Sequence, residues 1–288
     1  MAQVTLSGKY AFGFVSDETN AGVATTGMQI TDGNITISAT EDLGGGMKIT
    51  AKSEFASKGR GQADLTGRDA SLTLSGGFGT LVMGSVLAGN PVNAYAGGNG
   101  RDSETTITPG GSVDLLQYVL PTMVTGLSVS LAKTDTASTG AVNGSNSTGI
   151  SASYTAGALM VGVGVTNFKA GQTYNWDSRT TMGASYDLGM AKVSYGTQTY
   201  KYLSTATVTT DKKETVFGIT APVGDALSVG ITSRKMSQVG TNNKSSTDIG
   251  ATYSLSKRTS VNLSSESVKT VGTAASATLQ RIKLTHTF

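Results

Sequence analysis

The chain has 288 residues, 38% hydrophobic, with 38 glycines, no cysteine and a formal net charge of +3. The lack of cysteine excludes disulfide frameworks and thiolate metal sites, and the small, scattered charge excludes a nucleic-acid-binding surface. Leu, Ile, Val and Phe are sparse for a soluble core of this length, but low charge and a period-two recurrence of the apolar residues argue against disorder.

The alternation starts at once. Val4, Leu6, Tyr10, Phe12 and Phe14 alternate with Thr5, Ser7, Lys9 and Ala11. Ile35, Ile37 and Ala39 follow against Asn34, Thr36 and Ser38. Met47, Ile49, Ala51 and Phe55 then alternate with Lys48, Thr50, Lys52 and Glu54. A face carrying two lysines and a glutamate must be wet, because a buried unpaired charge is costly. The pattern predicts sixteen strands, at about 3–15, 27–40, 46–58, 66–75, 79–86, 112–120, 126–135, 148–156, 158–168, 178–187, 190–201, 213–221, 226–236, 246–254, 259–269 and 275–288. The last strand ends with Ile282, Leu284, His286 and Phe288 on one face and Arg281, Lys283, Thr285 and Thr287 on the other.

No run approaches the ~18 apolar residues of a membrane helix. Strands of about ten residues, apolar on one side only, average a hydropathy near zero, and the mean hydropathy is −0.06. Connections alternate in length. Glu41–Gly46, Ser75–Gly79, Thr155–Ala158, Asp187–Gly189, Pro222–Asp225 and Ser254–Arg258 are short turns rich in Gly and Asp. Segments 16–26, 136–147, 169–177, 202–212, 237–245 and above all 87–111 are longer. An even strand number, short turns at one end, long loops at the other and a terminal aromatic predict an all-β transmembrane barrel of sixteen antiparallel strands in one domain, 1–288. Tyr10, Phe12, Phe14, Phe55, Tyr118, Tyr154, Phe168, Tyr253 and Phe288 fall near strand ends, as interface girdles do, although β-propensity alone places some aromatics there. Met1 is read as an expression start standing where a secretory signal is removed.

A sixteen-strand barrel is too wide for its own side chains to fill. Parity puts Lys9, Lys48, Lys52, Lys192, Arg234, Arg281 and Lys283 on the inner face with Glu54, Asp69, Asp248 and Glu266, a mildly basic balance. The long connection adds Arg101, Asp102 and Glu104. Two readings stand: these charges set a transverse field and a weak anion preference, or they solvate a wide lumen. Catalysis has little to work with. The single histidine, His286, lies on the outward parity, and Gly44-Gly45-Gly46 and Gly76-Gly77-Phe78-Gly79 lack the Lys-Ser/Thr of a phosphate loop. No cofactor or metal is expected.

Thr40-Glu41-Asp42-Leu43-Gly44-Gly45-Gly46-Met47-Lys48 and the run from Arg68 to Thr80 resemble hairpins of Gram-negative general porins of the beta-proteobacterial type. Tyr118-Val119-Leu120-Pro121, Leu255-Ser256-Lys257-Arg258-Thr259 and the terminal Phe288 are similar to the same family. The resemblance implies an outer-membrane diffusion channel for ions and small hydrophilic solutes, a homotrimer, in contact with outer-membrane lipid and lipopolysaccharide. It also implies that the third long loop, about 87–111, folds inward and narrows the pore. Anion-preferring relatives carry pore arginines on the second and fifth strands, where Asn34, Ser38, Val82 and Ser85 stand here. A substrate-specific outer-membrane channel is the alternative, and it calls for aromatic residues inside the pore, which the parity reading finds scarce.

Overall fold

A computed structural model describes residues 3–57, 65–96, 111–135, 146–169, 176–202, 211–240, 243–273 and 275–288. The strands are β1 (Gln3–Glu18), β2 (Ala24–Gly44), β3 (Met47–Ala56), β4 (Thr66–Gly76), β5 (Gly79–Ala88), β6 (Gly111–Val119), β7 (Leu127–Asp135) and β8 (Ser147–Ala156). They continue as β9 (Leu159–Phe168), β10 (Trp176–Asp187), β11 (Lys192–Tyr202), β12 (Lys212–Val223), β13 (Leu227–Gln238), β14 (Lys244–Ser254), β15 (Thr259–Thr270) and β16 (Ala277–Thr287). Each pairs antiparallel with its sequence neighbours, and β16 pairs with β1, so the sheet closes and leaves no edge.

Directly opposed residues in an antiparallel ladder share a face, so the register fixes which side chains point inward. Leu6, Phe12, Phe14, Leu72, Leu131, Met182, Phe217, Ile249 and Leu263 are exposed on the outside. The buried hydrophobic side chains on the strands, Ala11, Val15, Tyr200 and Val216, all face in. The apolar surface is thus turned outward, inverting the arrangement of a soluble protein. Short turns gather at one end, where Asp42 and Asp187 each accept a 2.8 Å hydrogen bond from the backbone N–H of a glycine two residues on.

The seam closes at that same end. Gly8 and Phe288 exchange backbone hydrogen bonds of 3.0 Å in both directions, and the Phe288 ring stacks on Tyr10 with centroids 6.1 Å apart. Gly8 is needed there because a Cβ would run into the Phe288 ring. Phe288→Ala should therefore lower the unfolding temperature of the detergent-solubilised barrel. The lost ring pair alone is worth about 0.5–1.5 kcal/mol beyond its area. An unchanged midpoint in a heat-modifiability gel would show that the seam does not depend on the ring.

The predicted strands match the observed ones, with ends shifted by a few residues. Four bulges alter the parity inside them, at Ala11/Phe12 opposite β2, at Asp42/Gly44 on β2 opposite β3, at Glu54/Phe55 opposite β4 and at Trp176/Ser178 on β10. Ser85 pairs with Ala70 and faces outward, so it is not a pore position, whereas Asn34, Ser38 and Val82 face in. Phe168 pairs with Ser147, on the inner parity, and does not belong to an outer girdle.

On the outside of β11–β15 the surface changes with height. Tyr195, Phe217, Ile231, Ile249 and Leu263 form an apolar belt. Towards the long-loop end it gives way to Thr199, Thr215, Ser233 and Thr247, then to the exposed lysines Lys201, Lys213, Lys235 and Lys269.

Candidate functional site

The described part of the connection after β5, residues 89–96, does not stay at the rim; the rest of the predicted inward loop, 97–110, lies outside the described residues. A 3-10 turn, Pro91–Tyr95, packs inside the barrel against β10, β11 and β12. Pro at its start pre-sets the backbone, and the Asn90 side chain caps the turn by accepting from the Val92 N–H. Val92 is fully buried and Tyr95 nearly so.

The wall is shaped to receive this turn. Gly162, Gly183 and Gly196 are direct cross-strand partners on β9, β10 and β11, so three positions without side chains lie side by side on the inner face. The Tyr95 ring fills that trough: a Cβ at Gly196 would come within 2.6 to 2.9 Å of three Tyr95 atoms. Polar contacts fix the rest. Ser194 Oγ donates to the Tyr95 carbonyl at 2.8 Å, and Gln198 Nε2 donates to Asn90 Oδ1 at 2.8 Å. Asn90 Nδ2 donates to Glu214 Oε2 at 3.1 Å, and the Arg234 guanidinium donates to Asn93 Oδ1. Burial in the trough raises the Tyr95 phenol above its ordinary pKa. The docked turn therefore holds the neutral form, and docking weakens as pH climbs past the ordinary phenol range of about 10.

In a ring of sixteen strands, β3 stands eight strands from β11 and so faces the docked turn across the lumen. The inner face there is charged. Lys9 pairs with Asp32. Glu54 accepts from Asn34 Nδ2 at 3.0 Å and lies 3.5 Å from both the Lys52 ammonium and the Arg68 guanidinium. Asp69, opposite Glu54 in the ladder, accepts from the Leu87 N–H at 3.0 Å, which ties β4 to the strand that launches the loop. The cations and acids are unequally placed. Lys9, Lys52 and Arg68 side chains are 36%, 43% and 35% exposed, while Asp32 and Glu54 are 13% and 12% exposed.

Of the residues singled out in the sequence, Lys9, Lys52, Glu54 and Asp69 thus share the wall across from the turn. Lys48 faces inward near the short-turn end and is exposed. Arg281 faces inward on β16 and is partly exposed. Arg234 and Lys283 also face inward, but both are buried, as are Asp248 and Glu266, so they meet protein and not the stream of solute. Arg234 Nε lies 3.9 Å from Asp248 Oδ2. Arg101, Asp102 and Glu104 lie outside the described residues. Arg68 escaped the parity reading because it is the extra residue of the bulge between β3 and β4, which turns its guanidinium back onto Glu54.

A second inward group lies at the long-loop ends of β9–β12. Trp176 meets Phe168, Tyr200 and Tyr202 with ring centroids 5.7, 4.3 and 6.3 Å away. The Lys212 ammonium sits 4.1 Å from the Tyr200 centroid and 4.8 Å from that of Trp176. Trp176 faces in because the neighbouring bulge shifts its parity.

Solved structures agree with this architecture. An anion-selective porin from Comamonas acidovorans superposes with a TM-score of 0.82 at 22% identity, covering 100% of both chains. The trimer form of OmpT, an outer membrane protein of Vibrio cholerae, gives 0.77 at 14% identity over 100% of this chain and 99% of that one. A variant of the Rh. blastica porin gives 0.72 at 19% identity over 99% and 100%. No curated protein sequence matches significantly. The sequence profile described as Gram-negative porin matches residues 1–273. A closed sixteen-strand barrel, greasy outside and charged within, with a loop seated in its bore and that profile along nearly its whole length, belongs to the Gram-negative porin family of bacterial outer-membrane channels.

Proposed function

We propose that this porin passes ions and small hydrophilic solutes by passive diffusion with a weak preference for anions. The unequal exposure across from the docked turn carries the reading: the cations of the Lys9, Lys52 and Arg68 group reach into the lumen while their acids are tucked against the wall. A cationic face in a narrow aqueous gap attracts anions and repels cations. The similar Comamonas acidovorans protein is described as anion-selective, which agrees with it. Reversal potentials across a bilayer in a potassium chloride gradient test the proposal, and a cation-preferring potential would reject it. The preference should also fade as salt rises from about 0.1 to 1 M, because the screening length falls from about 10 to 3 Å. A salt-independent ratio would point to size alone.

The assembly is read as a homotrimer, in line with the trimer form of the similar Vibrio cholerae protein. Conductance rising in groups of three equal steps would support it. The outward lysines above the apolar belt, Lys201, Lys213, Lys235 and Lys269, suit the phosphates of outer-leaflet lipids such as lipopolysaccharide. A catalytic role finds no support, since His286 faces outward and is bonded to Thr259. The alternative of a substrate-specific channel is favoured by one feature, the inward aromatic group on β9–β12.

A further inference from the structure

Among the described strand residues, the inward-facing aromatics are Phe168, Trp176, Tyr200 and Tyr202, and all four lie in one sector. They sit one rung beyond Gln198, which holds the docked turn, and so on the long-loop side of the constriction. Aromatic side chains on the outer face serve the lipid interface. On the wet face that explanation is not available.

The group has a floor and a surface. Tyr200 and Lys212 are buried, and Tyr200 accepts a 2.8 Å hydrogen bond from Gln198. Phe168, Trp176, Tyr202 and Arg179 are partly exposed. Arg179 lies opposite Tyr200 in the ladder, 5.9 Å from the Phe168 centroid, and donates to Thr166 Oγ1 at 3.2 Å. A guanidinium has five donors in a planar fork that matches a carboxylate. Glu214 is buried and bonded to Asn90, and the charged side chains that the structure places against these rings, Arg179 and Lys212, are cationic, while Asp177 and Asp211 are exposed beside them.

We propose that this cluster is a binding site for planar aromatic carboxylates, met by a solute before it reaches the constriction. The solute ring packs against Trp176, Phe168 and Tyr202, and its carboxylate pairs with Arg179. Lys212, held against the Tyr200 and Trp176 rings, keeps the underlying field positive. A non-aromatic acid keeps the charge contact and loses the ring contact. A neutral arene keeps the ring contact alone.

The proposal rests on the chain being an open channel, and the test separates the two. Trp176 is the only tryptophan, so its emission reports the site directly in detergent-solubilised protein. Benzoate should change that emission at a concentration about tenfold below the one cyclohexanecarboxylate needs, as the ring contact that only benzoate makes implies. In a bilayer, benzoate should reduce the chloride current more strongly from the long-loop side than from the short-turn side. Arg179→Gln should raise the half-effect concentration of both acids about equally, whereas Phe168→Leu should narrow the gap between the two acids. That gap is read within the variant, so a general loss of protein does not mimic its narrowing. Equal responses to the two acids in the unaltered protein, no emission change at all, a benzoate advantage undiminished in Phe168→Leu, or acid binding unaffected by Arg179→Gln overturns the site. A normal emission response in a protein that carries no current would overturn the channel reading instead.

Discussion

Replacing Tyr95 by alanine is expected to widen the channel. Tyr95 fills the trough left by Gly162, Gly183 and Gly196, and with the buried Val92 it is an apolar anchor of a turn otherwise held by a few polar contacts. Truncating a buried aromatic costs about 3–5 kcal/mol where the site cannot collapse. A loss of about 3 kcal/mol in docking shifts the loop equilibrium roughly a hundredfold. Single-channel conductance should rise, and larger uncharged polymers should enter. Gly196→Ala reaches the same end from the other side. Its new Cβ would meet only Tyr95 among its nearest neighbours, so the turn and not the sheet must yield. Overpacking of this kind costs about 1–3 kcal/mol. Because both changes act on one contact, the double variant should conduct no more than Tyr95→Ala alone. Additive effects, or wild-type conductance in both single variants, would show that the bore is set elsewhere.

Lys52→Glu combined with Arg68→Glu is expected to reverse the sign of ion selectivity. The two cations flank Glu54 on the wall facing the docked turn. The pair of substitutions moves the wall by four charge units. At about 10 Å in water each unit is worth about 0.4 kcal/mol, so the swing is about 1.7 kcal/mol before screening. One Debye length of screening leaves about 0.6 kcal/mol for each ion, of opposite sign for anion and cation, which is roughly an eightfold change in the anion-to-cation permeability ratio. For a channel with only a weak anion preference, that is enough to cross unity. Lys48→Glu, near the short-turn end, should do less. Arg234→Gln and Lys283→Gln, at buried positions, should alter stability more than selectivity. A reversal potential insensitive to Lys52 and Arg68 would remove them from the narrow part of the pore.

The barrel was legible because its code is local. Alternation from Val4 to Phe288 tells which side of a strand each residue takes, and a closed sheet follows from sixteen such strands with turns of unequal length. The site was legible only in part, since period two reports a face and not a depth. It gave Arg234 and Lys283 the same status as Lys9 and Lys52, although the first two are buried. Parity also assumes an unbroken strand, and the bulges hid both the inward turn of Trp176 and the return of Arg68 onto Glu54. The glycine trough needs register. Gly162, Gly183 and Gly196 are distant in sequence and become neighbours only when β9, β10 and β11 are aligned. Three glycines at equivalent inward positions of successive strands were the one available signal, and many glycines elsewhere in the chain drowned it.

The molecule is a water-filled cylinder with the turn at Pro91–Tyr95 packed inside its wall. Single-channel recording of the refolded protein and of Tyr95→Ala in planar bilayers tests this most directly. Discrete ohmic steps that grow larger in the variant are the predicted result. A correctly folded barrel that leaves the bilayer silent, or steps of equal size in the two proteins, would contradict it.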